Sequence, residues 1–271
     1  MATHTSMRTI AVVGTMGLMS LGLITPAHAS TPQEGAAATC NGLTVTITSS
    51  ARHIRGTNRA DVIQVTGSGR HVVHARGGND TVCGSPGVDI IYGGAGNDTI
   101  FGMGRADRLH GDSGNDQLNG GAGNDREYGD SGDDTIVGGD GNDALSGGTG
   151  KDEIDGQNGD DHEYGNSGDD GIVGGEGDDV LRGGTGQDEI DGQNGDDHEY
   201  GNSGNDSLRG GAGQDYLRGG NGNDEVDGQD GDDECYGDSG DDSVNDDQGE
   251  NDNQGEDTQD GEHGPEDPEE P

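Results

Sequence analysis

The chain has 271 residues and a formal net charge of −43 at pH 7, with 56 acidic side chains against 13 Lys and Arg. A charge this negative makes nucleic acids and anionic membranes poor partners, because like charges repel. Hydrophobic residues are only 24% of the chain and aromatic residues 3%, which leaves little apolar material for a conventional core.

The first 29 residues have the three parts of a secretory signal peptide. Arg8 supplies the positive charge, residues 10–24 form the apolar stretch, and residues 27–29 read Ala-His-Ala, a small-x-small cleavage motif. The apolar stretch is short and contains Gly, Thr and Ser, which argues against a membrane span. We therefore expect cleavage after Ala29 and a secreted, extracellular protein that begins with a small-residue linker over residues 30–38.

Residues 39–83 are more aliphatic and less regular than the sequence that follows them. Leu43 to Ile47 alternates as a strand does, and residues 56–64 loosely fit the nine-residue unit that becomes regular from Gly84 onward. In the next unit, offset by one residue, His71 occupies the position of an aspartate. Because the terminal repeats of a solenoid must differ from the internal ones, we interpret residues 39–83 as an N-terminal capping segment with degenerate repeats.

The chain has three cysteines, so one is left over if two form a disulfide. Cys40 and Cys83 bracket the capping segment, and we favour a disulfide between them. Cys235 stands at an inward position of the repeat and is interpreted as a small buried hydrophobic residue. Intermolecular pairing through Cys235 is the alternative.

From Gly84 to Asn245 a nine-residue unit recurs 18 times without insertion or deletion. With U for an aliphatic residue, the unit reads G-G-x-G-x-D-x-U-x. Position one is always Gly, and position four is Gly in all units but one, where Arg105 stands. Position six is aspartate in every unit: Asp89, Asp98, Asp107, Asp116, Asp125, Asp134, Asp143, Asp152, Asp161, Asp170, Asp179, Asp188, Asp197, Asp206, Asp215, Asp224, Asp233 and Asp242.

The two halves of the unit predict a turn followed by a short strand. The first six residues are mainly Gly, Asp and Asn, which can adopt positive φ but cannot pack a core. The last three place one inward side chain between two outward ones. Two units then complete one rung of a solenoid, and nine rungs at a strand spacing of about 4.8 Å give a rod about 43 Å long.

Stacked rungs would place each position-six aspartate directly above the aspartate one rung away. Carboxylates so close together repel one another strongly at a low effective dielectric constant, and a cation between them removes the repulsion. Carboxylates and the carbonyls of flexible glycines are hard oxygen ligands. They suit the loose geometry of Ca²⁺ better than soft or strictly octahedral ions.

The repeat resembles the RTX (hemolysin-type) calcium-binding nonapeptide family, over roughly 60% of the chain. The resemblance implies an all-β fold, a parallel β-roll, in which the position-six aspartates and loop carbonyls of stacked units coordinate several Ca²⁺ ions. The candidate carbonyl donors belong to glycines at positions two and four: Gly94, Gly96, Gly121, Gly123, Gly139, Gly141, Gly148, Gly150, Gly175, Gly177, Gly184, Gly186, Gly211, Gly213, Gly220 and Gly222.

A segment rich in Gly, Asp and Asn is usually disordered, so disorder is the alternative interpretation of the repeat. A disordered chain would not keep an aspartate in register 18 times with an apolar residue two positions later. The two interpretations agree if the disordered state is the metal-free form of the roll.

Three units carry a glutamate where the aliphatic residue belongs, each followed by a tyrosine. Because a charge that faces the core is costly, we expect a local flip in these units that turns Tyr inward and leaves Glu at the surface. The alternative is a second metal or partner site, but a separation of two rungs, roughly 10 Å, argues against shared coordination. The glutamates are Glu127, Glu163 and Glu199.

From residue 246 the phase of the repeat is lost, and residues 246–271 are expected to be a disordered acidic tail. Outside the repeat too little sequence remains for a catalytic domain, so the sequence predicts no enzyme. It predicts a calcium-binding structural or adhesive protein that contacts a cell surface or cell wall. Two alternatives stay open: an extracellular calcium buffer or sensor, and the repeat module of an exported toxin or exoenzyme.

Overall fold

The computed structural model describes residues 39–245. The predicted signal peptide, linker and acidic tail lie outside these residues. Within residues 39–245 every regular element is a β-strand, and no helix is long and apolar enough to cross a membrane. The strands are β1 (Thr39–Cys40), β2 (Leu43–Thr44), β3 (Ile47–Ser49), β4 (His53–Arg55), β5 (Val62–Val65), β6 (His71–Gly77), β7 (Thr81–Cys83), β8 (Asp89–Ala95), β9 (Thr99–Gly104), β10 (Arg108–Ser113), β11 (Gln117–Ala122), β12 (Arg126–Ser131), β13 (Thr135–Asp140), β14 (Ala144–Thr149), β15 (Glu153–Asn158), β16 (His162–Ser167), β17 (Gly171–Glu176), β18 (Val180–Thr185), β19 (Glu189–Asn194), β20 (His198–Ser203), β21 (Ser207–Ala212), β22 (Tyr216–Asn221), β23 (Glu225–Asp230), β24 (Glu234–Ser239) and β25 (Ser243–Asn245).

The strands wind into a parallel solenoid with two faces, as the repeat predicts. Even-numbered strands from β4 to β24 form an 11-stranded parallel sheet, and odd-numbered strands from β3 to β25 form a 12-stranded parallel sheet. Consecutive strands alternate between the sheets, so two strands complete a rung and the described chain makes about eleven turns. The register follows the 18-residue period, with Ile154 beside Ile136 on one side and Ile172 on the other.

From β8 onward the core is a double file of inward side chains, one from each strand. Ile100 and Leu118 represent the file of the 12-stranded sheet, and Ile91 and Leu109 the facing file; all four are at most 2% exposed. Each contributing side chain stands at position eight of its unit, as the minimal strand predicts. So thin a core gives each rung little apolar burial of its own, and the stability of the roll depends on stacking.

The N-terminal strands continue the same two sheets. β3 pairs in parallel with β5, β5 with β7, and β7 with β9, and on the other face β4 pairs with β6 and β6 with β8. Cys40 and Cys83 are joined by a disulfide, with Cα atoms 5.8 Å apart. Residues 47–83 therefore form part of the solenoid, and their role as a cap stays a prediction.

Candidate calcium-binding site

The position-six aspartates stack into two columns, one beside each sheet. Each aspartate donates its backbone N–H to Oδ1 of the aspartate one rung further along; the N–H of Asp143 lies 2.7 Å from Oδ1 of Asp161, and that of Asp161 lies 2.7 Å from Oδ1 of Asp179. The same contact recurs without interruption up to Asp242. The side chains are buried, except that Asp242 is partly exposed at the last turn. One oxygen of each carboxylate, Oδ1, therefore holds adjacent turns in register.

The other carboxylate oxygen, Oδ2, is buried without a donor along most of both columns. A buried polar atom with no partner carries the full cost of its lost hydration. Burial raises the pKa of Asp116, Asp161 and Asp197 from 3.8 to about 7, although a backbone N–H bound to each carboxylate opposes the shift. The unpartnered Oδ2 atoms belong to Asp80, Asp98, Asp107, Asp116, Asp125, Asp134, Asp143, Asp152, Asp161, Asp170, Asp179, Asp188, Asp197, Asp206, Asp215 and Asp224.

Backbone carbonyls approach these carboxylates from both neighbouring turns. A Cβ built on Gly204 would overlap the carbonyl oxygen of Gly186 and lie 2.9 Å from Oδ1 of Asp206. A Cβ built on Gly201 would lie 2.5 Å from Oδ2 of Asp206 and 2.6 Å from the carbonyl oxygen of Gly219. The carboxylate thus lies between main-chain oxygens of the rungs before and after it, and only glycine leaves room for this arrangement.

The sixteen glycines predicted to supply carbonyls all have positive φ, from 101° at Gly121 to 156° at Gly213. L-residues rarely adopt this conformation, so glycine is favoured at positions two and four, although Met103, Asp112 and Gln157 also have positive φ at position two. The carbonyl of Gly121 is directed at the next loop, where a Cβ on Gly139 would overlap it. That these carbonyls and the aspartates bind a metal stays a prediction.

The donor set is made of hard oxygens, which fits Ca²⁺ rather than a thiolate- or imidazole-seeking ion. Within residues 39–245 no three His, Cys, Asp or Glu side chains are gathered into a cluster that could hold a metal. A cation in the columns must therefore draw on backbone carbonyls as well as on carboxylates. Ca²⁺ accepts such mixed sets, because it binds carboxylates and carbonyls alike at variable angles.

The aspartate columns extend further toward the N-terminus than the 18 regular units predict. The N–H of Asp61 lies 2.7 Å from Oδ1 of Asp80, and that of Asp80 lies 2.7 Å from Oδ1 of Asp98. Residues 75–83 are a nineteenth unit in the same phase, with Asp80 followed by Val82 at the aliphatic position. Ala75 at position one conceals this unit when an invariant glycine is required.

The other column ends at His71 instead of an aspartate. Nδ1 of His71 lies 2.8 Å from Oδ1 of Asp89, and the N–H of Ser85 lies 2.6 Å from its Oδ2. Asp89 is therefore satisfied by protein groups on both oxygens. His71 does stand in an aspartate position, and it closes the column with a side chain.

The expected flip of the glutamate units is wrong. Glu127, Glu163 and Glu199 are 0% exposed and face the core, whereas the tyrosine after each is only half-buried on the outer face. A flip would require a one-residue slip of the strand, which would remove the Asp and Gly residues of the same unit from their columns. Burial, followed by the charges of nearby aspartates, raises the pKa of each glutamate well above its usual range.

The outer face of the 11-stranded sheet carries a file of aromatic and cationic side chains. His74, Tyr92, His110 and Tyr128 stack in sequence, with ring centroids 4.6–4.9 Å apart. Further along, the guanidinium of Arg182 lies over the rings of Tyr164 and Tyr200, at 5.4 and 4.9 Å. These contacts join neighbouring turns along the outer face of this sheet.

Comparison with known families agrees with this geometry. A family model of the RTX calcium-binding nonapeptide repeat matches residues 55–91, 74–105, 92–127, 128–163, 164–199, 200–235 and 210–244, which together cover more than half of the chain. A comparison with curated proteins gave no match. The matched stretches coincide with the turns that form the aspartate columns. The chain therefore belongs to the RTX calcium-binding nonapeptide repeat family.

Proposed function

We propose that this chain is a secreted protein whose repeat folds when many Ca²⁺ ions bind between its turns, and that the calcium-loaded roll has a structural role at or near a cell surface. The observation that carries the proposal is the double column of buried aspartate Oδ2 atoms without donors. Most turns repeat this arrangement, so a cation can bind in the same way in most of the gaps, the spaces between the carboxylates of adjacent turns.

The metal-free roll is expected to be unstable near neutral pH. Acidic residues outnumber Lys and Arg by 56 to 13, and a core with one inward side chain per repeat strand offsets little of the backbone entropy lost on ordering. Each ion joins two rungs, so binding at one gap orders the next and folding becomes cooperative. One ion for each stacked pair corresponds to on the order of 15 ions.

The proposed location rests on the predicted signal peptide, on the disulfide between Cys40 and Cys83 and on calcium chemistry. Extracellular oxygen-ligand sites bind Ca²⁺ at roughly 0.1–1 mM. Such affinity keeps the chain unfolded in a calcium-poor cytoplasm and folds it outside the cell. Disulfides persist in the same oxidising compartments.

A structural or adhesive role fits a stiff rod whose repeat is a structural calcium-binding fold. A calcium buffer or sensor without a fixed partner is the second candidate, supported by the number of equivalent gaps. Binding of the purified protein to intact cells or cell-wall material, with calcium and with chelator, separates the two. Retention that requires calcium supports the adhesive role, and no retention supports the buffer.

Far-UV circular dichroism of residues 30–271 tests the folding proposal directly. We expect a sigmoidal gain of β signal with CaCl₂ and none with MgCl₂ at the same concentration, because Mg²⁺ demands near-octahedral geometry and keeps its water ligands. No change with calcium, or an equal change with magnesium, would refute calcium-specific folding.

A further inference from the structure

Three carboxylates lie inside the core, where the repeat calls for an aliphatic residue. Glu127 stands between Leu109 and Leu145 in the sheet register, and Glu163 between Leu145 and Leu181. Both oxygens of Glu127 and of Glu163 are buried without a hydrogen-bond partner. A carboxylate in such a place is strongly destabilising unless a cation or a donor accompanies it.

Glu163 reaches the same space as the unpartnered oxygen of its own aspartate. A Cβ built on Gly156 would lie 2.5 Å from Oδ2 of Asp161 and 2.7 Å from the carbonyl oxygen of Gly174, and would overlap Oε1 of Glu163. Three oxygens from two turns therefore converge beside one glycine. Two of them are carboxylate oxygens without a donor.

The same convergence recurs two rungs further along. A Cβ built on Gly192 would lie 2.7 Å from the carbonyl oxygen of Gly210 and 2.8 Å from Oε1 of Glu199, and would overlap Oδ2 of Asp197. Here Oε1 of Glu199 accepts a hydrogen bond of 2.9 Å from the N–H of Gly192, while Oε2 has no donor. The repetition in two units shows that this is not an isolated side-chain conformation; at Gly120, the matching glycine of the Glu127 unit, the nearest atoms belong to Asp125 and Gly138.

We propose that Glu163 and Glu199, and Glu127 at the equivalent buried position of its unit, are calcium ligands, each of which adds a second carboxylate, from the core side, to the oxygens of its own unit. This inference rests on the proposed function, because it assigns ligands to the ions that fold the roll. The three units form a class of sites that carry one more negative charge than the other gaps, and they alternate with Leu-containing units along one sheet. Additional ligand charge raises affinity for Ca²⁺, and more so for a trivalent lanthanide.

The alternative is that the glutamates are neutral core residues with no part in metal binding. The two possibilities predict opposite effects of one variant. Replacing all three glutamates with leucine introduces the residue already present at Leu109, Leu145 and Leu181, so the variant keeps the packing of the column. If the glutamates are only buried polar groups, leucine stabilises the roll and leaves its ions unchanged.

The experiment compares the wild type, the triple Glu→Leu variant, a triple Glu→Gln variant and Glu153→Gln, all as the mature chain. Glu153 is exposed at position seven of its unit, so Glu153→Gln removes one charge away from the proposed sites. Calcium titration by isothermal calorimetry gives stoichiometry and affinity. Tb³⁺ luminescence lifetimes in H₂O and D₂O count the water molecules left on each bound ion.

We expect the Leu and Gln variants to weaken the tightest class of sites about tenfold and to add about one water to the Tb³⁺ ions bound there, with Glu153→Gln like the wild type. Unchanged calcium affinity and unchanged Tb³⁺ hydration, together with a raised melting temperature, would overturn the assignment of the glutamates alone. A wild-type protein that binds no calcium would overturn the proposed function and this assignment together.

Discussion

In a position-six aspartate Oδ1 accepts a backbone hydrogen bond, whereas Oδ2 is the proposed calcium ligand. An asparagine variant separates these two roles. Asp161→Asn keeps Oδ1 as the acceptor for the N–H of Asp143, 2.7 Å away, but replaces the unpartnered Oδ2 with an amide. In the metal-free roll this change removes a buried charge whose pKa is raised from 3.8 to about 7. With allowance for solvent screening, that shift corresponds to roughly 2–4 kcal/mol of destabilisation relieved above pH 7.

In saturating calcium the same substitution is expected to destabilise the roll instead of stabilising it. The Asp161 carboxylate lies between those of Asp143 and Asp179 in its column. Asp161→Asn therefore lowers the affinity for the ion on one or both sides and lowers the melting temperature. Combining Asp161→Asn with Asp179→Asn is expected to weaken calcium binding at one further site in the same column. Thermal unfolding followed by circular dichroism, with calcium and with chelator, measures the change in melting temperature in both states. Calorimetry gives the number of bound ions.

The matched control for this experiment is Asp155→Asn, at an outward position of the neighbouring strand. Asp155 accepts a side-chain hydrogen bond from Gln157 and takes no part in the columns. Its replacement is expected to leave the calcium midpoint and stoichiometry nearly unchanged. Equal effects of Asp155→Asn and Asp161→Asn would refute the proposed division of the carboxylates and the register of the site.

Three further predictions follow from the same geometry. Because the pKa of Asp116 and Asp197 is raised in the fold, the metal-free folded chain binds more protons than the unfolded chain between about pH 4 and 7. Its stability therefore falls as the pH rises through this window, and circular dichroism without calcium should show β structure at pH 4.5 that is lost by pH 8. Gly201→Ala should lower the melting temperature in calcium because the added Cβ meets Asp206 and Gly219, whereas Gly171→Ala, with open space around it, is the control. Reduction of the disulfide between Cys40 and Cys83, 43 residues apart, should cost about 3–4 kcal/mol in denaturant titrations with calcium, and an unchanged midpoint would contradict it.

The sequence predicts the solenoid well because its period is invariant. An aspartate every nine residues, followed two positions later by an aliphatic residue, leaves one parallel arrangement with two units in each turn. The sequence marks the start of the repeat less clearly, because Ala75 replaces the position-one glycine before Asp80. The predicted flip at Glu163 fails because it treats a buried charge as a local cost, whereas the register of a whole strand decides which side chain faces the core.

The N-terminal turns differ from the others in a way that predicts where folding starts. Asp61 accepts hydrogen bonds of 2.7 and 2.9 Å from the N–H and hydroxyl of Thr57, and Asp89 is satisfied by His71 and Ser85. The inward side chains there include Ile54, Ile63, Val65 and Val73, all at most 4% exposed. Although Oδ2 of Asp80 has no donor, these turns satisfy the carboxylates of Asp61 and Asp89 without metal and place more aliphatic side chains in the core.

A repeat array folds first where its units are most stable and then propagates to neighbouring units. At calcium concentrations below the folding midpoint, hydrogen exchange should show protection over residues 47–92 before it appears over residues 165–245. His71→Ala removes the side-chain partner of Asp89 Oδ1 and should abolish the earlier protection of these turns. His162→Ala, at an exposed position of a central strand, should leave it unchanged. Simultaneous protection of the whole roll in the wild type would contradict an N-terminal start, because each turn would then depend on calcium to the same extent.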